Sequence, residues 1–429
     1  VGSKTGRDGI HGATFSSREL TEESEVVSSG AVQIGNPIEE KKVLDALMRI
    51  RDENLCRSVT DCGAGGFSSA VGEMGEETGA DVYLEKAPLK YDGLGPTEVW
   101  ISEAQERMVL AVDPVNMTRL REILLEEEVE CAVLGEFRGD GMLRLHHHGE
   151  LMGELDVKFL HDGRPNFERV SVIPMPKEEL PIASADVDAE MILSTLLEDG
   201  NVASKEPVIR QYDHEVQGRM TFRPLAGADR DAPMDGCSLD PLRDGSHQVV
   251  VSCGLSIGIG SVDAYQMACH SVDEALRNCI ASGGSLERAA LLDNFAWGDV
   301  RNDEILGELV ECSRGAADAA LAYGTPFVSG KDSLHNTYRS GGVSRSIPSV
   351  LLVSAISITQ GEPVAAGSDL KSSGSSMILI GPDGGIPGSL YQHRFGGSGG
   401  RPALFDAELG PRLLQSMSAW MRDRKFRAV

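Results

Sequence analysis

The sequence predicts a mixed α/β fold, of the α/β (α+β) class, in which apolar strands alternate with amphipathic helices. Two long helical patterns, residues 263–282 and 302–323, stand between the apolar runs 247–255, 289–299 and 347–358. Turns rich in glycine or polar residues follow several of these strands. At 429 residues the chain is too long for one ordinary hydrophobic core. We therefore expect roughly two to four domains.

The composition is that of a folded protein with an acidic surface. Charged residues make up 25% and hydrophobic residues 41% of the chain, and 66 acidic against 40 basic side chains give a net charge of −26. Such a surface repels nucleic acid and anionic membranes, so neither is expected as a main partner. No apolar run reaches the length of about 18 residues that a membrane span needs. The eight cysteines are scattered without a C-x-x-C pair, which favours reduced thiols and a cytoplasmic location.

The opening loop, residues 2–17, contains four glycines and two cations. Such a loop either binds an oxyanion or packs at a domain seam, and it lacks the G-x-x-x-x-G-K-[ST] spacing of a Walker loop. His11 is either a base or, more often in such loops, a spacer bonded to the backbone. A short strand at residues 31–37, which includes Gln33, is predicted to precede an amphipathic helix at 38–51.

Residues 60–69 form a glycine-rich turn that is expected between a strand and a helix. Gly63, Gly65 and Gly66 let the backbone adopt positive φ, and exposed amides at a helix N-terminus favour a phosphate. Asp61 stands directly before these glycines and is placed to hold a divalent metal. The alternative is a tight strand-to-helix turn that binds no ligand.

Polar side chains that can grip a polyol or an amide follow predicted strands at residues 81–84 and 98–102. Glu103 and Gln105 are two apart, so on an extended segment they project to the same face. The alternative is a polar edge that faces water. A strand at 108–112, a helix at 116–128 and hairpins at 132–153 are predicted to follow.

A proline-containing linker at residues 164–181 is predicted to lead into a second unit. That unit begins with a helix at 189–197, for which Ser184 or Asp186 is the expected cap. Further on, the apolar strand at 289–299 carries Asp293 towards its end. A carboxylate at the end of a strand is well placed for a metal or a nucleotide.

Residues 325–336 repeat the pattern of a strand, a glycine, and then charged or hydroxyl groups. After Gly330, Lys331 can meet a phosphate, Asp332 a metal, and Ser333 a phosphate or a hydroxyl. The alternative is a hairpin with a Gly-Lys-Asp turn.

A third unit is expected from residue 367, with a strand at 377–380 and a helix at 406–422. These elements are too few to bury a core of their own. We therefore expect the chain to be a piece of a longer protein.

Together these stretches resemble phosphoribosylformylglycinamidine synthase (formylglycinamide ribonucleotide amidotransferase), in the synthetase subunit of its small, multi-subunit type. The resemblance rests on residues 2–17, 33–37, 61–74, 102–108, 210–217, 293–298 and 329–336. It implies domains like those of aminoimidazole ribonucleotide synthetase, alternating between a sheet-forming type and a larger α/β type. Residues 1–180 would then be the first larger domain, 190–362 the second sheet-forming, ATP-binding domain, and 363–429 the start of the second larger domain.

The resemblance also implies roles for individual residues. The residues that would contact the ribonucleotide substrate are Gln33, Glu103, Ala104, Gln105 and Ser333. Asp293 and Gly330 would contact ATP, and Asp61 would be a magnesium ligand.

One position departs from the pattern of the family. Many members of the small type have Asn-Val where this chain has Lys331-Asp332, so Lys331 stands at the metal-binding Asn position. Asp332 is the candidate that replaces it as a metal ligand. The catalytic His of the family lies in a domain before Val1, so no catalytic residue is expected in this chain, and the chain is expected to be inactive alone.

The implied reaction converts the amide of formylglycinamide ribonucleotide into an amidine with ATP and Mg²⁺, in purine biosynthesis. Ammonia would come from a glutaminase subunit, and a small accessory subunit would complete the complex. One alternative is a synthetase or kinase of the same superfamily, making aminoimidazole ribonucleotide, selenophosphate or a thiamine phosphate product. The other is a non-catalytic scaffold that binds a nucleotide.

Overall fold

The computed structural model describes residues 1–10, 35–175, 188–211, 214–362, 364–381 and 385–429. Within these ranges the chain forms two compact units, Val1–Arg169 and Val170–Val429. The predicted α/β class is confirmed, because each unit combines strands with helices. The domain boundaries expected near residues 180, 190 and 363 stay predictions.

The helices and strands of the first unit alternate along the chain. In order they are α1 (Pro37–Asp52), β1 (Ser58–Asp61), α2 (Phe67–Met74), β2 (Gly79–Tyr83), α3 (Pro96–Ile101), β3 (Met108–Ala111), α4 (Met117–Glu126), β4 (Gly135–Phe137), β5 (Met142–His147), β6 (Glu150–Asp156) and α5 (Val157–Asp162). Four strands form a sheet in the order β4-β2-β5-β6, in which β2 and β5 are parallel. Strands β1 and β3 form a separate antiparallel pair, with Asp61 opposite Met108.

Helix α1 shows why the sequence signals for a helix were sufficient here. The Asn36 side chain accepts a hydrogen bond from the Ile38 amide and caps the helix, and Pro37 occupies its first turn. Acidic residues in the first turn and arginines in the last complement the helix dipole. The buried face of α1 packs against α4, where Ile50 and Ile123 have no exposed surface. The helix predicted at 38–51 is thus confirmed.

The second unit is built around longer elements. In order they are α6 (Ala189–Leu197), α7 (Glu206–Ile209), β7 (Met220–Phe222), β8 (Leu225–Ala226), β9 (Ala232–Pro233), β10 (Gly236–Leu239), β11 (His247–Leu255), α8 (Ile257–Gly260), α9 (Ala264–Ala281), β12 (Ala289–Ala296), α10 (Asp303–Tyr323), β13 (Phe327–Ser333), β14 (Thr337–Ser340), β15 (Val343–Ser346), β16 (Val350–Gln360), α11 (Leu390–Arg394) and α12 (Leu409–Arg422). Six strands form a sheet in the order β13-β12-β16-β11-β10-β7. Strands β12 and β13 are parallel, and the other neighbours are antiparallel.

The core of the second unit lies between this sheet and helices α9 and α10. Met267, Leu276, Leu291, Trp297 and Leu351 have no exposed surface. Residues in β11 and β16 are alternately buried and more exposed, as expected for strands with helices on one face. This packing fixes β12, and through it the neighbouring edge strand β13.

Part of the C-terminal region packs against α9 and is hydrogen-bonded to it. The Phe405 amide donates to Gln266 Oε1 at 2.8 Å, and a ring nitrogen of His270 lies 2.8 Å from the Ala403 carbonyl oxygen. Leu414 of α12 is buried in the same core. Residues 398–429 thus share a hydrophobic core with the central helices of this unit.

Several local predictions are wrong. Residues 98–102 were expected to form a strand, but they lie largely in α3, whose Glu98 carboxylate accepts a hydrogen bond from the Gly95 amide at 2.8 Å. Residues 377–380 form no strand within the described structure. The helix expected at 406–422, by contrast, is confirmed over Leu409–Arg422. Helix α6 is capped by Asp188 rather than by Ser184 or Asp186, which lie outside the described residues.

Two further features bear on the environment of the protein. All eight cysteines are free thiols. None of the helices in the described ranges combines the length and the hydropathy that crossing a bilayer requires.

Candidate functional site

The glycine-rich turn connects strand β1 to helix α2, as the sequence predicted. Gly65 and Gly66 have φ values of 77° and 57°, in the left-handed region that favours glycine. Asp61, the last residue of β1, is exposed. Its side chain lies beside Gly63 of the turn, since a Cβ atom added to Gly63 would lie 2.6 Å from Asp61 Oδ2. Within the described part of the chain its carboxylate makes no hydrogen bond or ion pair.

The segment that follows α3 lies directly against this turn. The Gly65 amide donates to Glu103 Oε1 at 3.0 Å. A Cβ atom on Gly66 would overlap the Ser102 carbonyl and lie 2.8 Å from its carbon. The Gly65 amide is therefore satisfied by a carboxylate of the protein itself and is not free for a phosphate. The structure nevertheless brings Asp61 and Glu103 to one turn.

The predicted substrate-binding run occupies a loop between α3 and β3, not the extended strand that the sequence suggested. Gln105 is exposed, and its Nε2 donates to the Glu103 carbonyl at 3.0 Å. Ala104 is fully buried. Gly35 packs nearby, because a Cβ atom on it would lie 3.4 Å from that of Gln105. Gln33 lies outside the described residues, so its predicted role stays a prediction.

In the second unit, Asp293 and Gly330 are neighbours on the parallel strands β12 and β13. A Cβ atom on Gly330 would overlap the Asp293 carboxylate and lie 2.5 Å from its Cγ. Burial raises the pKa of Asp293, the nearby negative charge of Asp332 raises it further, and a hydrogen bond from the Lys331 amide acts against this shift. The two residues predicted to contact ATP therefore lie side by side.

The neighbouring polar residues divide between the two faces of the sheet. Asp332 pairs with Phe295, so it shares a face with Asp293, two residues earlier on β12. Lys331 pairs with Asn294 and projects to the other face, as does Ser333, which pairs with Ala296 and is buried. Gly330 lies inside β13, so the alternative of a Gly-Lys-Asp hairpin turn is wrong.

Asp61 and Asp332 are the residues predicted to bind magnesium. In the ranges that the structure covers, no three His, Cys, Asp or Glu side chains are grouped to hold a metal ion. Mg²⁺ in nucleotide sites usually takes one or two carboxylates and completes its shell with phosphate oxygens and water. The free Asp61 carboxylate, and Asp332 on the same face as Asp293, fit that requirement.

A cavity of about 640 Å³ in the first unit does not include these residues. It is lined mainly by apolar groups around β3 and β4 and reaches Phe67 and Arg107. Asp61, Glu103 and Gln105 do not line it. The predicted site residues of the glycine turn and the Glu103 loop therefore lie outside this cavity.

We expect Gly330→Ala to weaken ATP binding about tenfold, because the added methyl must displace the Asp293 carboxylate. Calorimetric titration of the full-length protein with ATP measures this. Gly200→Ala is the matched control, since a Cβ atom at Gly200 meets no other atom within 4 Å. Equal ATP affinity in both variants would show that the position of Asp293 does not matter for the nucleotide.

Comparison with known proteins gives the family. Residues 1–148 match the family of AIR synthase related proteins in its C-terminal domain, and residues 235–351 match the N-terminal domain of the same family. The chain therefore contains both domain types of the AIR synthase related proteins, over residues 1–148 and 235–351. The domain types that the resemblance implied are thereby confirmed, with a C-terminal-type domain preceding an N-terminal-type domain.

The chain is also homologous to the PurL subunit of phosphoribosylformylglycinamidine synthase. The subunit of Anaeromyxobacter dehalogenans is 34% identical over 424 residues, which are 95% of this chain and 53% of the relative. The resemblance found in the sequence is thus confirmed. The chain spans about half the length of the curated relatives it matches.

Solved structures of the family share the fold. Thermotoga maritima PurL complexed with FGAR is 26% identical, with a TM-score of 0.67, and the match covers 85% of this chain and 55% of that one. T. maritima PurL complexed with AMPPCP is 25% identical, with a TM-score of 0.62, and the match covers 84% of this chain and 53% of that one.

One residue of the AIR synthase related C-terminal domain escaped the sequence analysis. Arg107 is only 4% exposed and makes hydrogen bonds that join the opening loop to the Glu103 loop. The sequence places it before a predicted apolar strand, where an arginine is usually a solvated edge residue. Its acceptors include Thr5, 102 residues away, so no local pattern indicates the role.

Asp299 plays a similar organising role in the AIR synthase related N-terminal domain. It is 8% exposed and accepts hydrogen bonds from Arg301 Nε at 2.8 Å and Arg339 Nη2 at 2.7 Å. Its amide donates to Thr337 Oγ1 at 3.0 Å. These contacts join the loop after β12 to the β14-β15 hairpin. Hydrogen bonding to Arg301, acting against burial, lowers the pKa of Asp299 to about 2.

We expect Asp299→Asn to destabilise the second unit by about 2 kcal/mol at neutral pH, since one pKa unit corresponds to about 1.4 kcal/mol. The pKa is lowered in the folded state, so the stabilisation is present above the unfolded pKa and is lost as pH falls towards about 2. Urea unfolding between roughly pH 2 and pH 7 tests this. The exposed Asp231→Asn is the control. The expectation is wrong if the gap between wild type and Asp299→Asn does not narrow below about pH 4.

Proposed function

We propose that the full-length protein converts formylglycinamide ribonucleotide into formylglycinamidine ribonucleotide, with ATP and ammonia, as a cytoplasmic enzyme of purine biosynthesis. The observation that carries this proposal is the homology to PurL over 95% of the chain. The hydrogen bond that joins Glu103 to the turn after Asp61 supports it, because two predicted parts of one site lie together. Relatives of the same fold were solved with FGAR and with an ATP analogue.

In this proposal each predicted residue has a stated task. The ribonucleotide is contacted by Gln33, Glu103, Ala104, Gln105 and Ser333, ATP by Asp293 and Gly330, and magnesium by Asp61 and Asp332. Gly330 has no side chain, so the Asp293 carboxylate can lie against the backbone of β13.

The chemistry requires that an amide oxygen become a leaving group. The amide oxygen attacks the γ-phosphorus of ATP, and the bond from that phosphorus to the bridging oxygen breaks and releases ADP. Ammonia then adds to the amide carbon, the carbon–oxygen bond breaks with release of phosphate, and proton loss leaves the amidine. Mg²⁺ would supply positive charge against the negative charge of the phosphates. Asp61 and Asp332 would each offer a carboxylate, the type of ligand that Mg²⁺ prefers.

Within this chain, Glu103 and Gln105 hold and orient the substrate. The Glu103 carboxylate is fixed by the Gly65 amide, and Gln105 is exposed with its Nε2 bonded to the loop. No residue of this chain is assigned as the general acid or base. The ammonia is supplied by a glutaminase subunit, and a small accessory subunit completes the assembly, in keeping with the naming of the relatives as subunits.

The test is to incubate the full-length protein with the formyl amide ribonucleotide, ATP and an ammonium salt, and to measure the amidine by mass spectrometry together with phosphate release. Stoichiometric amidine, ADP and phosphate, with none formed when any reactant is omitted, is the expected result. Binding of ATP without turnover would favour a nucleotide-binding scaffold instead. Turnover only with another acceptor would favour a different synthetase or a kinase.

A further inference from the structure

Arg107 carries a buried charge that no carboxylate neutralises by an ion pair within the described structure. Only 4% of its surface is exposed, and burial lowers the pKa of its guanidinium group. Nε donates to the Ala104 carbonyl at 2.8 Å, Nη1 to Thr5 Oγ1 at 3.0 Å, and Nη2 to the Ser102 carbonyl. The guanidinium carbon also lies 4.6 Å from the centre of the Phe67 ring. Burying such a cation away from water costs free energy. Replacing buried charged groups by apolar residues of similar volume often leaves the stability unchanged.

The acceptors of Arg107 bracket Glu103. Because the carbonyls of Ser102 and Ala104 both turn towards one planar guanidinium, the peptides on either side of Glu103 have fixed orientations. The Glu103 amide donates to the Asp8 carbonyl at 2.7 Å, and its carboxylate accepts from Gly65. The Glu103 loop is thus held through its backbone by Arg107 and Asp8, and through the Glu103 side chain by the Gly65 amide.

Arg107 also reaches the other two parts of the predicted site. Phe67, beneath the guanidinium, is the first residue of α2 and directly follows the glycine turn. Thr5 is 1% exposed and belongs to the opening loop, whose Gly6 carbonyl accepts from Ser102 Oγ at 2.7 Å. A single side chain therefore connects the opening loop, the glycine turn and the Glu103 loop.

We propose that Arg107 is a positioning residue for the ribonucleotide site. It holds the segment from Ser102 to Gln105 in the geometry that receives the substrate, and it does not touch the substrate itself. This inference rests on the proposed function. Since a Lys cannot donate from a planar fork to three separated acceptors, charge alone cannot replace it.

The experiment uses Arg107→Lys in the full-length protein. We expect the dissociation constant and KM for the formyl amide ribonucleotide to rise about tenfold or more, and KM for ATP to change less than about twofold. Arg119→Met is the matched control, because it removes an exposed arginine that pairs with Glu53 at 2.8 Å, away from the loop. A purely structural role would instead lower the unfolding temperature and reduce the active fraction, leaving both KM values unchanged.

A second variant covers the case in which Arg107→Lys does not fold. Thr5→Val keeps the shape of Thr5 and removes only the acceptor of Nη1, so we expect a selective rise of roughly threefold in the same ribonucleotide KM. Unchanged ribonucleotide KM values in folded variants would overturn the proposal, as would equal changes for both substrates. Failure of the wild type to bind or convert the ribonucleotide would instead reject the proposed function.

Discussion

Asp61→Asn in the full-length protein is expected to lower amidine formation by about 100-fold or more, because a metal contribution of about 3 kcal/mol corresponds to two powers of ten in rate. The substitution keeps the shape of the side chain and removes its charge. Since this carboxylate is exposed and has no ion pair in the described ranges, the unfolding free energy is expected to change by less than about 0.5 kcal/mol. Turnover and thermal unfolding of the same preparations measure the two effects.

The control for Asp61 is Asp52→Asn, at the end of α1, where the carboxylate is exposed and pairs with the adjacent Arg51. We expect it to leave turnover unchanged. A metal role for Asp61 also predicts that the variant needs a higher Mg²⁺ concentration for half its maximal rate. An unchanged rate and an unchanged magnesium dependence would remove Asp61 from the metal site.

The sequence was sufficient where local chemistry decides the structure. Asn36 and Pro37 signal the start of α1, and Asn302 caps α10 through hydrogen bonds to the Glu304 and Ile305 amides. The apolar run 289–299 predicted β12, which forms at Ala289–Ala296 and carries Asp293 near its end. Each of these features can be predicted from fewer than about ten consecutive residues.

Sequence reasoning failed where distant contacts override local preference. Residues 98–102 contain Val99, Trp100 and Ile101, which favour a strand, but the Gly95 and Pro96 start and the Glu98 carboxylate stabilise a short helix. Met377 and Leu379 are 87% and 88% exposed, and no strand pairs with them in the described ranges. A high strand propensity does not by itself give these residues a neighbouring strand with which to pair.

The candidate site could be predicted only where residue types are informative. Asp61, Glu103 and Gln105 were chosen as candidates because their side chains suit a metal or a polar ligand, and their roles stay predictions. Arg107 could not be chosen, because its contacts depend on carbonyls and on Thr5 that only the fold brings within reach. The hydrogen bond from the Gly65 amide to the Glu103 carboxylate could not be predicted either, and it makes the turn a joint between two loops.

The close contact between the glycine turn and the Glu103 loop leads to a prediction for Gly66. Gly66→Ala places a methyl group where it overlaps the Ser102 carbonyl, 2.8 Å from the carbonyl carbon and 3.2 Å from that of Ile101. Both atoms are backbone, so the overlap cannot be relieved by a side-chain rotation. We expect local destabilisation of about 3 kcal/mol or more, together with displacement of the Glu103 loop.

Gly93→Ala separates this overlap from the cost of the backbone conformation. Gly93 has φ 90° in the same unit, but a Cβ atom there meets no other atom within 4 Å. It should therefore cost only about 1 to 2 kcal/mol for the left-handed conformation. Hydrogen exchange at residues 63–70 and 102–107 measures the local opening free energy in each variant. If these amides are as well protected from exchange in Gly66→Ala as in Gly93→Ala, the Glu103 loop does not pack against the glycine turn. Asp61 and the Glu103 loop would then not belong to one site.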